Sequence, residues 1–96
     1  MVLDENLGLI LLKQDLEILH DAKDDYLITL LNAAEENIRR EGIILDEREY
    51  SSIVAVAQYA AWLYRKRKLD TAPMPRMLRY TLNNMLMKQK VGDGDV

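Results

Sequence analysis

The sequence predicts an all-α fold, a small bundle of four helices arranged around its third. Three observations carry that expectation. Residues 53–64 read Ile-Val-Ala-Val-Ala-Gln-Tyr-Ala-Ala-Trp-Leu-Tyr, where Gln58 alone is polar. Positions 50, 53, 54, 57, 61 and 64 fall on one helical stripe and 56, 59, 60 and 63 on a second, so this helix is apolar nearly all round and has to be covered on several sides. Residues 25–41 place Leu27, Leu30, Leu31, Ala34 and Ile38 at i, i+3, i+4, i+7 and i+11, the spacing of one helix face. The single run that could be read as a buried strand, Leu9 to Leu12, has no second strand signal to pair with.

The first helix is expected over 7–19, with Leu9, Leu12, Leu16 and Leu19 on one side and Lys13, Gln14, Asp15 and Glu17 between them. His20 to Asp25 is a polar connection, and Asp24 or Asp25 is the expected N-cap of the second helix, 25–41. That helix opens on acids and closes on arginines, as its dipole prefers, and it offers Glu35–Arg39 and Glu36–Arg40 as i,i+4 pairs on its outer side. Gly42 supplies the stop. Ile43, Ile44 and Leu45 form an apolar link, after which Asp46 and Glu49 resemble a capping box for the central helix, 46–68. Pro73 and Pro75 break the chain and admit a fourth helix only from its first turn, over 75–90, with Met77, Leu78, Leu82, Met85 and Leu86 on its apolar side. Residues 1–90 thus form one helical domain, and 91–96, with Gly92 and Gly94 between acids, read as a flexible tail.

Composition narrows the function classes. Hydrophobic residues at 49% with 30% charged is the balance of a folded water-facing domain, and 96 residues suffice for a single core. The apolar run 53–64 is about 18 Å long as a helix, too short for a hydrocarbon core of about 30 Å, so no membrane role is expected. Met1 to Asn6 carries two acids and no base, unlike a secretory leader. Cysteine is absent, which removes disulfides and thiolate metal sites.

Nothing in the sequence persuades as chemistry, and no enzyme activity, metal or cofactor is expected. His20, the only histidine, has Asp21 and Asp24 nearby, a general base with an orienting carboxylate on paper and a solvated loop histidine on the plainer reading. Asp21, Asp24 and Asp25 lack the glycine and closing glutamate of a calcium loop. Ser51 and Ser52 have no glycine motif beside them, and the glycines at 8, 42, 92 and 94 make no phosphate loop.

Charge is the more informative feature. The net charge of -3 hides thirteen acids against five bases in residues 1–49, net -8, and three acids against eight bases in 50–96, net +5. One half of the chain can attract the other half of a neighbouring copy. An acidic surface from Asp15, Glu17, Asp25, Glu35 and Glu36 would meet Arg65, Lys66, Arg67, Lys68, Arg76 or Arg79, with Trp62, Tyr80 or the methionines supplying apolar area. The plainer reading is that both halves pair within the monomer. The basic run 65–68 could also touch nucleic-acid phosphates, which is the alternative function: a small nucleic-acid-binding or regulatory module. Four of the five methionines lie between 74 and 87, core filler or an adaptable contact surface.

Four stretches carry a resemblance. They are Leu11-Leu12-Lys13-Gln14-Asp15-Leu16; Asp24-Asp25-Tyr26-Leu27 continuing through Ala33-Ala34 and Ile38 to Gly42; Tyr59-Ala60-Ala61-Trp62-Leu63-Tyr64-Arg65-Lys66-Arg67; and Met74-Pro75-Arg76-Met77-Leu78-Arg79-Tyr80 with Leu82-Asn83-Asn84. In this order they resemble the small head-tail connector, or adaptor, proteins of tailed bacteriophages and prophages, with the last two stretches the more specific. The resemblance implies a helical protein made in the bacterial host cytoplasm and assembled into the virion at the head-tail junction. There it would form a head-to-tail ring of about twelve copies on the portal protein. Such a ring extends the DNA channel toward the next head-completion or tail component and lets DNA pass without sequence-specific binding. The family has no catalytic residues to carry over, and residues 91–96 match nothing in it.

Overall fold

The computed structural model describes residues 5–46, 48–67 and 71–94, with the backbone alone for 91–94. The fold is all-α: α1 (Glu5–Leu16), α2 (Asp24–Arg40), α3 (Tyr50–Lys66) and α4 (Arg76–Gly94). α3 is central and touches each of the other three; α1 and α2 also pack on one another, and α4 packs on α3. Its four alanines Ala55, Ala57, Ala60 and Ala61 are buried together with Ile53, Val56 and Tyr59. Short side chains on several faces let neighbouring helices approach closely from more than one direction. Leu12 of α1, Leu27, Leu31, Ala34 and Ile38 of α2, and Leu78 and Leu82 of α4 complete the core.

The helix ends differ from the sequence expectation in instructive ways. α1 stops at Leu16, three residues early, because Glu17 adopts the left-handed conformation at φ +58°. The amide of Ile18 then donates to the Lys13 carbonyl (2.9 Å) and that of Glu17 to the Gln14 carbonyl (3.2 Å), the paired bonds of a Schellman ending on a residue other than glycine. Leu19, expected on the apolar stripe, lies beyond that ending and is exposed.

The N-cap of α2 is Lys23, not an aspartate, and it makes no side-chain capping bond; Asp24 and Asp25 stand in the first turn, where the dipole favours them. At the other end Gly42 takes φ +92°, and its amide closes on the Arg39 carbonyl at 2.9 Å, as the sequence suggested. Ile43 and Leu45 of the following link are buried while Ile44 between them is exposed.

α3 begins at Tyr50 rather than at 46, with Glu49 as its N-cap. Asp46 instead builds the turn before the helix: its Oδ1 accepts from the Arg48 amide (2.9 Å), which holds its carboxyl below the usual range, and its own amide donates to Ser52 Oγ at 3.2 Å. α3 closes at Lys66, and Lys68, expected as its last residue, lies outside the described residues.

Pro73 precedes α4 as expected, while Pro75, expected as its first residue, stands just before it, and the Arg79 amide donates to the Pro75 carbonyl (3.1 Å). α4 continues to Gly94, so the stretch expected to fray from 91 is helical through that residue; 95 and 96 lie outside the described residues. Two side chains tie α4 and its approach to the rest. Trp62 Nε1 donates to the Ala72 carbonyl (3.3 Å). Gln89 bridges the α2–α3 link, its Nε2 donating to the Gly42 carbonyl and its Oε1 accepting from the Ile44 amide, both at 2.8 Å.

Two outcomes check this account. Ala61→Asp, at a site 1% exposed, places an unpaired charge where several helices meet and should abolish the cooperative melt, a loss of several kcal/mol from a total of about 5–15 kcal/mol. Glu17→Gly relieves a left-handed non-glycine residue and should raise stability by about 0.5–1 kcal/mol in urea titration, whereas Glu17→Val should lower it.

Candidate functional site

Most of the charged residues picked from the sequence find partners inside their own chain. Arg65 reaches from α3 to the last turn of α1, donating through Nη1 to Asp15 Oδ2 (3.3 Å) and through Nη2 to the Asp15 carbonyl (3.1 Å), so it neutralises the carboxylate and caps an unpaired helix-end carbonyl together. Arg79 of α4 grips Glu41 with both terminal nitrogens (2.8 and 3.1 Å), a bidentate pair that raises its pKa. Lys13 joins Asp24 (2.8 Å) and Asp21 (3.0 Å), and those two hydrogen bonds raise its pKa. Glu36 pairs with Arg40 on the outer side of α2, as its spacing suggested.

Glu35 departs from that pattern. It lies one turn after Leu31 and two after Leu27, at the margin of the core face, and its side chain is only 10% exposed. Its Oε2 accepts from Arg39 (3.2 Å), while Oε1 is buried and has no hydrogen-bond partner. A partner surface cannot reach it.

The aromatic residues absorb two further cations. Lys66 Nζ stands 4.9 Å from the Trp62 ring centroid, and Trp62 in turn meets Tyr59 edge-on at 5.3 Å. Trp62 is half-buried in this stack and is not a free anchor for another protein. Arg67 stacks on Tyr64 and Tyr26, its Cζ 4.4 and 5.3 Å from their centroids.

Among the described residues, the charges picked from the sequence that make neither a side-chain ion pair nor an aromatic contact are Glu17, Asp25 and Arg76. Two of them adjoin exposed apolar surface. Glu17 lines an open hollow of about 700 Å³ with Ile10, Lys13, Gln14, Ile18 and Leu19, and Leu19 itself is 96% exposed. Arg76 precedes Met77, which with Tyr80 and Met87 forms a stripe at i, i+3 and i+10 along α4, exposed at 74%, 55% and 63%. The methionines divide accordingly: Met74 and Met85 pack on the core, Met77 and Met87 face out. The sequence named Tyr80 and the methionines as possible contact area but placed Met77 on the apolar side of α4 that packs, so the stripe itself was not anticipated.

These two patches lie on different elements. The α1 end adjoins the start of α2 through Lys13 and Asp24, whereas α4 adjoins the end of α2 through Arg79 and Glu41.

His20 is exposed in the α1–α2 connection. No group of three or more His, Cys, Asp or Glu among the described residues could hold a metal ion, and none of their helices is long and apolar enough to cross a membrane. Comparison with protein-family models, with curated proteins and with solved structures finds no match.

Tyr59 reports on the Arg79–Glu41 pair. Burial, and secondarily the Glu41 carboxylate, push its hydroxyl pKa up, against weaker opposing effects of Arg79 and Asn37. A group with a raised folded pKa contributes stability below its unfolded value, about 10 for tyrosine, and loses that contribution as pH rises through the folded value. Tyr59→Phe should therefore lose less stability than the parent in alkaline melts above about pH 10.

Proposed function

We propose that this chain is a structural, non-enzymatic subunit that associates head to tail into a closed ring, and that it serves as a head-tail connector of a tailed phage or prophage. The observation that carries the reading is the pair of unlike exposed apolar patches on different elements, each with an unpaired charge of opposite sign beside it. The hollow of Ile10, Ile18 and Leu19 with Glu17 is suited to receive Met77 and Tyr80 with Arg76 from a second copy. Two different surfaces that meet make a heterologous contact, and such a contact closes into a ring when its rotation allows.

The division of labour differs from the charge-led contact the sequence suggested. Asp15, Glu36, Arg65 and Arg79 are engaged within the monomer, and Glu35 is buried, so the apolar patches supply the affinity and one exposed pair, Glu17 with Arg76, orients it. Such a pair is worth about 0–1 kcal/mol and is screened by salt. Assembly of the free protein is accordingly weak, and a portal template would secure it at about twelve copies. In that setting the chain sits at the head-tail junction of the virion, meets the portal on one side and the next head-completion or tail component on the other, and leaves the DNA unread. The resemblance of the sequence to connector proteins supports this step. The nucleic-acid-binding alternative has less support, because Arg65 and Arg79, two of its phosphate-facing candidates, already hold carboxylates.

Mixing separates these possibilities. Met77→Glu disables one patch and Leu19→Glu the other, and each variant alone should stay monomeric by light scattering at concentrations where the parent forms higher species. An equimolar mixture should recover dimers and nothing larger, since only one functional contact remains. A two-fold dimer that survives either substitution would sink the ring.

A further inference from the structure

Lys23 and Arg67 stand apart from the other cations that bridge helices. Lys13, Arg65 and Arg79 each end on a carboxylate, whereas Lys23 of the α1–α2 connection and Arg67 at the end of α3 converge on one neutral atom, Tyr64 Oη, at 2.8 and 3.3 Å. Their nitrogens can be no farther apart than those two lengths laid end to end. Among the described residues neither has an ion pair, and Asp25, next to Tyr26 in sequence and itself unpaired, reaches neither. Lys23 Nζ lies 5.4 Å from the Tyr64 centroid, a distance set by its bond to the hydroxyl, so its hold on the ring is that hydrogen bond. Arg67 is different: its guanidinium stacks on Tyr64 and Tyr26, rings 6.3 Å apart, and stacking by the flat face leaves edge N–H groups for an acceptor.

Two like charges held within reach of one neutral oxygen repel, and that repulsion is relieved by an anion between them. We propose that Lys23, Arg67, Tyr26 and Tyr64 form a binding site for a single carboxylate, an Asp or Glu side chain presented by a partner protein. The carboxylate would accept two parallel bonds from Arg67, a geometry that guanidinium supplies, and one from Lys23. The surroundings favour a protein over a nucleic acid. Asp25 beside Tyr26 is exposed and makes no ion pair, so an extended polyphosphate would meet repulsion that one carboxylate avoids. This inference does not rest on the ring or connector reading, since the site lies on neither apolar patch.

The test is a nuclear magnetic resonance titration at low ionic strength with a capped peptide carrying a single glutamate, with inorganic phosphate and a short DNA duplex as parallel arms. The peptide should shift the Tyr26 and Tyr64 ring signals and the Arg67 Nε–H signal saturably. Arg67→Gln should weaken its binding about tenfold, the loss of a charge-assisted bond, while the amide spectrum stays that of the folded protein. Lys23→Gln should weaken it by a smaller factor. Shifts confined to other residues, shifts unchanged in Arg67→Gln, or tighter binding of phosphate or duplex than of the peptide would each overturn the assignment.

Discussion

Everything in this fold answers to one constraint: α3 is apolar on all but one narrow side, where Ser51, Gln58 and Arg65 are exposed. A helix whose buried residues include Ile53, Val56, Tyr59 and four alanines is unstable in water until other helices cover it, and the covering has to come from more than one direction. α1 and α2 take one flank and form with α3 the main part of the core. α4 returns to the remaining exposed area after the proline break and contributes Leu78 and Leu82. The short alanine side chains make this economical in sequence, because the covering helices carry the large residues and the centre carries the small ones.

The polar interactions are arranged around that core in a consistent way. Bonds between elements fall at helix ends, where backbone groups would otherwise lack partners: Arg65 at the end of α1, Gln89 at the link after α2, Ser52 at the turn before α3. Such contacts add little individually, since most are exposed to water. Their effect is on geometry, fixing where each helix begins and ends. The acidic front and basic back halves of the chain are therefore reconciled in part inside one molecule, through Asp15 with Arg65 and Glu41 with Arg79.

How much of this was legible beforehand depends on the physics involved. The four helices and the central position of α3 follow from periodicity and from the proline break, which are local signals. The cap positions did not follow, because they depend on bonds formed between neighbouring residues in three dimensions: nothing in the letter Glu17 announces a left-handed residue, and Asp46 resembles a cap until Ser52 takes its amide. The pairing of the charges was legible only in part. Glu36–Arg40 follows from i,i+4 spacing, but Arg65 with Asp15 joins residues on different helices. For the same reason the exposed stripe of Met77, Tyr80 and Met87 and the convergence of Lys23 and Arg67 emerge only once the helices are set against one another.

The shallow attachment of α4 has a kinetic meaning. Its grip on the rest is two buried leucines, the partly buried Met85 and Leu86, the Arg79–Glu41 pair and one glutamine amide, a small share of the burial that holds α1, α2 and α3 together. Opening free energies in a folded protein span from near zero to the global value, and the least-buried cooperative unit opens first. In this chain that unit is the helix that carries the exposed stripe. Its backbone amides would exchange with solvent sooner than those of α3, and any molecule that covers the stripe would slow them, so a contact surface and the most readily released part of the fold are the same nineteen residues.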